Sequence, residues 1–228
     1  SQKWVDFATA FWHMDCVRIM SLTALAERYR KWCKRHGYNF SQSKAVEVHT
    51  GAQDLIAMLP KDALTKTMVR QAIDALNAVS ASLERLKAEM QALAAQLPEY
   101  PVVMAMHGVG DSLGPQLMAE LGDVTRFTHR NAISDFAGVD TVGDQSGTHE
   151  AKSTRVSKSG PPELRRALFL VMDCLLKTQP QDDPVYRFMD KKRAEGKPYL
   201  VYMTAGANKF LRIYYGRVKE YLESLEEN

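Results

Sequence analysis

Between Lys66 and Leu97 the chain has no glycine or proline, and Val69, Leu76, Leu83, Met90 and Leu97 recur every seventh residue. Ala72, Val79, Leu86 and Leu93 interleave three residues later. The spacing predicts one long helix with an a/d seam running through about four heptads. A single core helix of a bundle would use the same seam. The strictness of the repeat and the polarity of the other faces favour a coiled-coil hairpin or a dimerising coiled coil. Leu97-Pro98 ends it, because proline disfavours helix in the residue before it, and a boundary is expected near 98–102.

The rest of the chain also reads as helix. Phe7, Phe11 and Met14, and then Ile19, Leu22 and Leu25, fall at spacings of three and four across residues 4–36. That segment ends in Arg28, Arg30, Lys31, Lys34 and Arg35, then Gly37. This basic run is either a solvated helix face or a contact for nucleic-acid backbone. Further helices are expected over 43–58, 131–139, 162–176, 184–194 and 201–225. No strand pair with period-two alternation stands out, so the expected fold class is mainly α.

Bulk charge says little, at +3 over 228 residues, but its distribution says more. From Ala151 to Lys219 there are 15 Lys/Arg and 6 Asp/Glu, an excess of +9, while the last nine residues carry four Glu and no cation. A basic body with an acidic tail suits a polyanion. Cys16, Cys33 and Cys174 are odd in number and widely spaced. This argues against a disulfide framework and a zinc site, and for reduced thiols in a cytoplasmic protein. No run approaches the roughly 18 apolar residues of a membrane span. Ser1 is not a natural start, so the sequence is expected to be a piece of a longer chain.

Two segments carry candidate chemistry. The first is Gly108-Val109-Gly110, between an apolar helix end and a helix running to Leu121-Gly122. It has the form of a helix-hairpin-helix, in which glycines allow close backbone approach and amides at the next helix start face a DNA phosphate. An ordinary structural turn would look the same. The second is the polar loop 140–161, the longest non-periodic stretch of the second half. It places Ser146 between Gln145 and Gly147, ahead of Lys152, Arg155, Lys158, Arg165 and Arg166. A hydroxyl near fixed cations is either a nucleophile for a phosphodiester or part of a polar turn. Arg165 and Arg166 are about 100° apart on a helix, so one can face such a site while the other faces solvent or core. His149 and His107 carry no readable catalytic role. Asp123 and Asp135 read as cap and helix-end residues, and with Asp140 and Asp144 they match no metal-loop spacing.

From Met104 to Leu222 these pieces occur in a recognisable order: Gly108-Val109-Gly110; Ala119 to Asp123 with Arg126-Phe127; Phe136-Ala137-Gly138-Val139; Gln145-Ser146-Gly147; Ser157-Lys158-Ser159-Gly160 with Leu164 to Leu168; Lys191 to Pro198; and Lys209-Phe210-Leu211-Arg212. The order resembles the carboxy-terminal transposase domain of the DEDD-type insertion-sequence transposases, relatives of the Piv invertase and of the bridge-RNA-guided recombinases. The resemblance implies a site-specific DNA recombinase in which the serine at position 146 attacks the DNA backbone. It also implies an amino-terminal RNase-H-like domain whose four acidic residues bind Mg²⁺ and which handles guide RNA in the RNA-guided branch. A coiled-coil region joins the two and makes homodimers. No glycine-acidic strand opening is found in this sequence, so no metal site or cofactor is assigned to it.

The resulting expectation has three parts: a helical linker region at 1–60, a dimerising coiled-coil helix at 61–100, and a catalytic-serine transposase domain at 101–228. Ser146 is the expected nucleophile. Gly108, Val109, Gly110, Lys152, Arg155, Lys158, Arg165 and Arg166 are the expected DNA contacts, and the chain alone is expected not to cleave. The alternatives are a non-catalytic helix-hairpin-helix nucleic-acid-binding module, with Ser146 merely polar, and a purely structural coiled-coil adaptor, which leaves the +9 stretch unexplained.

Overall fold

Four helix starts are set by short polar side chains that accept otherwise unpaired first-turn amides. Ser21 accepts from the Ala24 N–H and Ser41 from Lys44. Asp62 accepts from Thr65 at 2.7 Å, and Asp183 from both Val185 and Tyr186. The resulting helices in this computed structural model are α1 (Gln2–Ala10), α2 (Asp15–Arg18), α3 (Leu22–His36), α4 (Gln42–Gln53), α5 (Ala63–Ala94), α6 (Tyr100–Met104), α7 (Leu113–Leu121), α8 (Ala132–Ala137), α9 (Pro162–Thr178), α10 (Pro184–Ala194) and α11 (Tyr199–Glu226). The structure describes residues 2–140 and 157–227, and the backbone of 145–146 and 149–150. Those two pairs form β1 (Gln145–Ser146) and β2 (His149–Glu150). The fold is mainly α, as expected. Among the described residues no helix is long and apolar enough to cross a membrane.

The segment expected as one helix over 4–36 is three. Ser21 caps α3, and the His13 ring accepts the Asp15 N–H while its other nitrogen meets the Leu59 carbonyl. These polar contacts break the chain direction where no glycine or proline marks it. Gly37 stops α3 in the left-handed conformation (φ 72°), with the Tyr38 N–H returning to the Cys33 carbonyl.

The chain divides into two compact units, 1–84 and 85–228. The first is built on aromatics: Phe7 stacks on Phe11 and meets Tyr29 and Trp32 edge-on, with Leu25, Cys33 and Ala45 buried beside them. The cations of α3 lie outside this cluster, where Arg28 covers Phe11 and Arg30 covers Phe40.

The second unit is organised around α11, which packs on α6, α8, α9 and α10. Its buried residues Met203, Ala207, Phe210, Leu211, Tyr214 and Val218 keep the three-and-four spacing of one helix face. Leu164, Leu168, Val171, Met172 and Leu175 of α9 do the same. A Cβ at Gly206 would collide with Met189 and Met172, so α9, α10 and α11 come together there only because residue 206 has no side chain.

Helix α5 crosses the 84/85 boundary as one uninterrupted element of 32 residues, about 48 Å long. Its seam lies open: Val79, Leu86 and Leu93 are each about two-thirds exposed.

Candidate functional site

The serine loop leaves the core after α8 and returns before α9, and its two ends are pinned together. Gly138 ends α8 in the left-handed conformation (φ 61°). Lys158 donates its N–H to the Gly138 carbonyl at 3.2 Å, and Ser157 donates to the Asp140 carbonyl at 3.3 Å. A Cβ on Gly160 would overlap the Phe136 carbonyl, and one on Gly138 would crowd the amides of Ser159 and Gly160. The two glycines thus let the departing and returning strands touch backbone to backbone. Lys158 has φ 53° without being glycine, a strained conformation held by the pairing around it.

Arg165 fastens this base. Its Nη1 donates to the Ala137 carbonyl on the departing side and to the Gly160 carbonyl on the returning side. Arg166, the next residue of α9, is exposed. The neighbouring cations thus have different surroundings: one organises the loop foot, and the other faces water. Arg126 lies over both the Phe127 and Phe136 rings, at 4.6 and 4.4 Å, on the outer side of α8.

Above the foot, Ser146 pairs with His149 and Gln145 with Glu150 in the antiparallel β1–β2 ladder. The backbone of the expected nucleophile is therefore held opposite a histidine. Lys152 and Arg155 lie outside the described residues. Lys158 is exposed at the foot.

Two carboxylates adjoin the same foot. Desolvation, then a hydrogen bond and repulsion from Asp140, raise the Asp135 carboxyl above its ordinary range, against the opposing pull of His129 and Arg212. Asn208 of α11 donates to Asp140 Oδ1 at 3.4 Å. Asp123 caps the 3₁₀ turn Val124–Arg126, and the amide and hydroxyl of Thr125 lower its pKa. Among the described residues no group of three or more His, Cys, Asp or Glu is placed to hold a metal ion.

The glycine hairpin lies elsewhere on α9. Gly108 (φ 79°) fits against Val171 and Leu175, where a Cβ would make close contact with both residues. Val171 and Leu175 follow Arg165 by six and ten residues, about 9 and 15 Å along the helix. Val109 packs on the core, and Gly110 accepts from the Gly114 N–H at 2.9 Å and is open to solvent. His107 Nε2 lies 3.5 Å from Asp182 Oδ2 in the connection between α9 and α10. The sequence reading missed Asn208 as a neighbour of the loop and the carbonyl-binding task of Arg165. The glycines at 138 and 160 were the available signal for a close approach.

Residues 100–187 match the model of the transposase IS116/IS110/IS902 family. The chain is also similar to the insertion element IS110 uncharacterized 43.6 kDa protein of Streptomyces coelicolor, with 26% identity over 153 residues. That alignment takes in 67% of this chain and 37% of the relative, so the chain spans a little over a third of the relative's length. Both matches bear out the resemblance to insertion-sequence transposases read from the motifs.

Proposed function

We propose that this chain is the serine-bearing part of a DNA transposase or recombinase, and that Ser146 is its nucleophile. The observation that carries the reading is the family match over 100–187, which contains the whole serine loop and its foot. In the reaction the Ser146 Oγ–H loses its proton as Oγ bonds to a backbone phosphorus. The scissile P–O bond breaks, and the departing sugar oxygen takes up a proton. The energetic problem is the negative charge spread over the phosphoryl oxygens. Lys152, Arg155, Lys158 and Arg166 are the cations proposed to meet that charge, while Arg165 holds the loop foot in register.

The described residues of this chain offer a carboxylate pair but no larger cluster to hold the Mg²⁺ of the wider family. The acidic domain is proposed to come from another part of the protein, with a guide RNA if the protein is of the RNA-guided branch. The open seam of α5 is proposed to pair with a second copy as a coiled coil, since each Leu covered contributes about 1.5–3 kcal/mol. The hairpin at 108–110 is proposed to rest against a DNA phosphate through the open backbone at Gly110.

The test joins this chain to an upstream acidic domain and supplies Mg²⁺ and donor DNA, then looks for a covalent protein–DNA adduct that survives denaturation. Wild type forms it and Ser146→Ala does not. An adduct or strand transfer that persists in Ser146→Ala rejects the nucleophile. Duplex binding with no adduct from either protein favours the non-catalytic binding module.

A further inference from the structure

The cations on α10 and α11 are absorbed by neither the serine loop nor the hairpin. Phe188 of α10 is half-buried, and two ammonium groups from different helices lie over its ring: Lys192 Nζ at 5.0 Å and Lys209 Nζ at 4.7 Å. The first is set by i,i+4 spacing on α10 and the second by the packing of α11 against α10. Both positions satisfy the geometry of cation–π contacts. The two charges therefore lie within about 10 Å of each other and repel. Among the described residues neither makes an ion pair, and the nearby Asp190 pairs with Arg193 at 2.7 Å. The ring holds two like charges close to it, and an anion between them would lower their mutual repulsion.

The pair is continuous with the loop foot. Arg212 lies one turn on from both Asn208 and Lys209 of α11, at spacings of four and three. Asn208 donates to Asp140 at the foot, and Arg212 acts electrostatically on Asp135 beside it. Lys192, Phe188, Lys209 and Arg212 thus form a line of positive charge leading from α10 to the base of the loop that carries Ser146.

We propose that this line is a track for the DNA phosphodiester backbone, with Lys192 and Lys209 holding adjoining phosphates and Arg212 the next one towards the loop. The proposal rests on the reading of the chain as DNA-handling. DNA is favoured over an acidic peptide because the charges form a line across two helices and end at the foot of the loop proposed to attack a phosphodiester. Such contacts position a duplex without reading its sequence.

Binding of the whole chain to a short duplex of arbitrary sequence, measured by fluorescence anisotropy over a salt series, tests it. Lys192→Gln with Lys209→Gln lowers affinity roughly tenfold and reduces the slope of log K against log salt by about two, with each single variant giving about half. Phe188→Leu keeps both charges and frees their side chains, so the slope stays and affinity falls by a smaller factor. Circular dichroism of every variant matches wild type. If wild type binds but the double variant keeps the full slope, the track is wrong and the proposed function stands. If wild type binds no duplex, both readings fall. A double variant that loses single-stranded RNA binding while keeping duplex DNA overturns DNA as the occupant.

Discussion

Helices α5 and α11 are the two longest in the molecule, at 32 and 28 residues, and both carry apolar residues at helical spacing. Their surroundings are opposite. Nine residues of α11 are buried, and four helices pack on it. On α5 the buried residues are Thr65 and Ala94, at its ends, and the seam between them faces solvent. Periodicity thus specifies a helix and a sticky face, but not what covers that face. In α11 the cover is supplied by α6, α8, α9 and α10. In α5 the described residues supply no such cover.

The largest expected effect separates the two directly. Phe210→Ala removes a fully buried ring from α11 and is expected to cost about 3–5 kcal/mol, read by chemical denaturation. Leu86→Ala on α5 changes monomer stability by no more than about 0.5 kcal/mol. Leu83→Glu with Leu86→Glu leaves the thermal transition in place but abolishes association in light scattering if the seam pairs two copies. A concentration-independent loss for Leu86→Ala as large as that for Phe210→Ala would break the contrast.

A second contrast lies in the loop foot beside α11. Arg165→Ala leaves the Ala137 and Gly160 carbonyls without their donor and is expected to cost about 1–3 kcal/mol. Arg166→Ala, at an exposed position, stays within about 0.5 kcal/mol and shows instead in DNA affinity. Equal stability losses would mean that the foot is not fastened as described.

The smallest effect concerns the polar side of α11, where Asn208 and Arg212 reach the Asp140–Asp135 pair. Asp135 has a raised pKa in the fold, so its contribution to stability is greatest in acid and is lost as pH rises through that value. Asp135→Asn is therefore expected to raise Tm slightly at neutral pH, with the gain vanishing as pH falls into the carboxylate range. A Tm difference that is flat with pH would show that the two carboxyls do not share their site.

What could be read from the sequence follows the range of the forces involved. The ends of α8, α9 and α10 were legible because Gly138, Pro162 and the Asp183-Pro184 cap act within a turn. The kinks between α1 and α3 were not, because His13 answers to Leu59, 46 residues away. At the site, the order of motifs marked Ser146 and its cations, yet the pairing of Gly138 with Lys158 and the two-carbonyl grip of Arg165 depend on α8 and α9 lying side by side. The seam of α5 was legible, and the choice between a hairpin partner and a second copy to cover it was not.

The contacts between thioethers and glycines carry a chemical liability. Met172 and Met189 occupy the space a side chain would take at Gly206, and Met104 does the same at Gly114. Oxidation to the sulfoxide adds an oxygen and a dipole to a sulfur that already touches a neighbouring helix. Met104 is half-buried while the other two are fully enclosed, so peroxide should attack the α6–α7 contact first. Damage there would loosen the glycine hairpin while the α9–α10–α11 core was still intact, so an ageing protein should lose the order of its hairpin before it loses its fold.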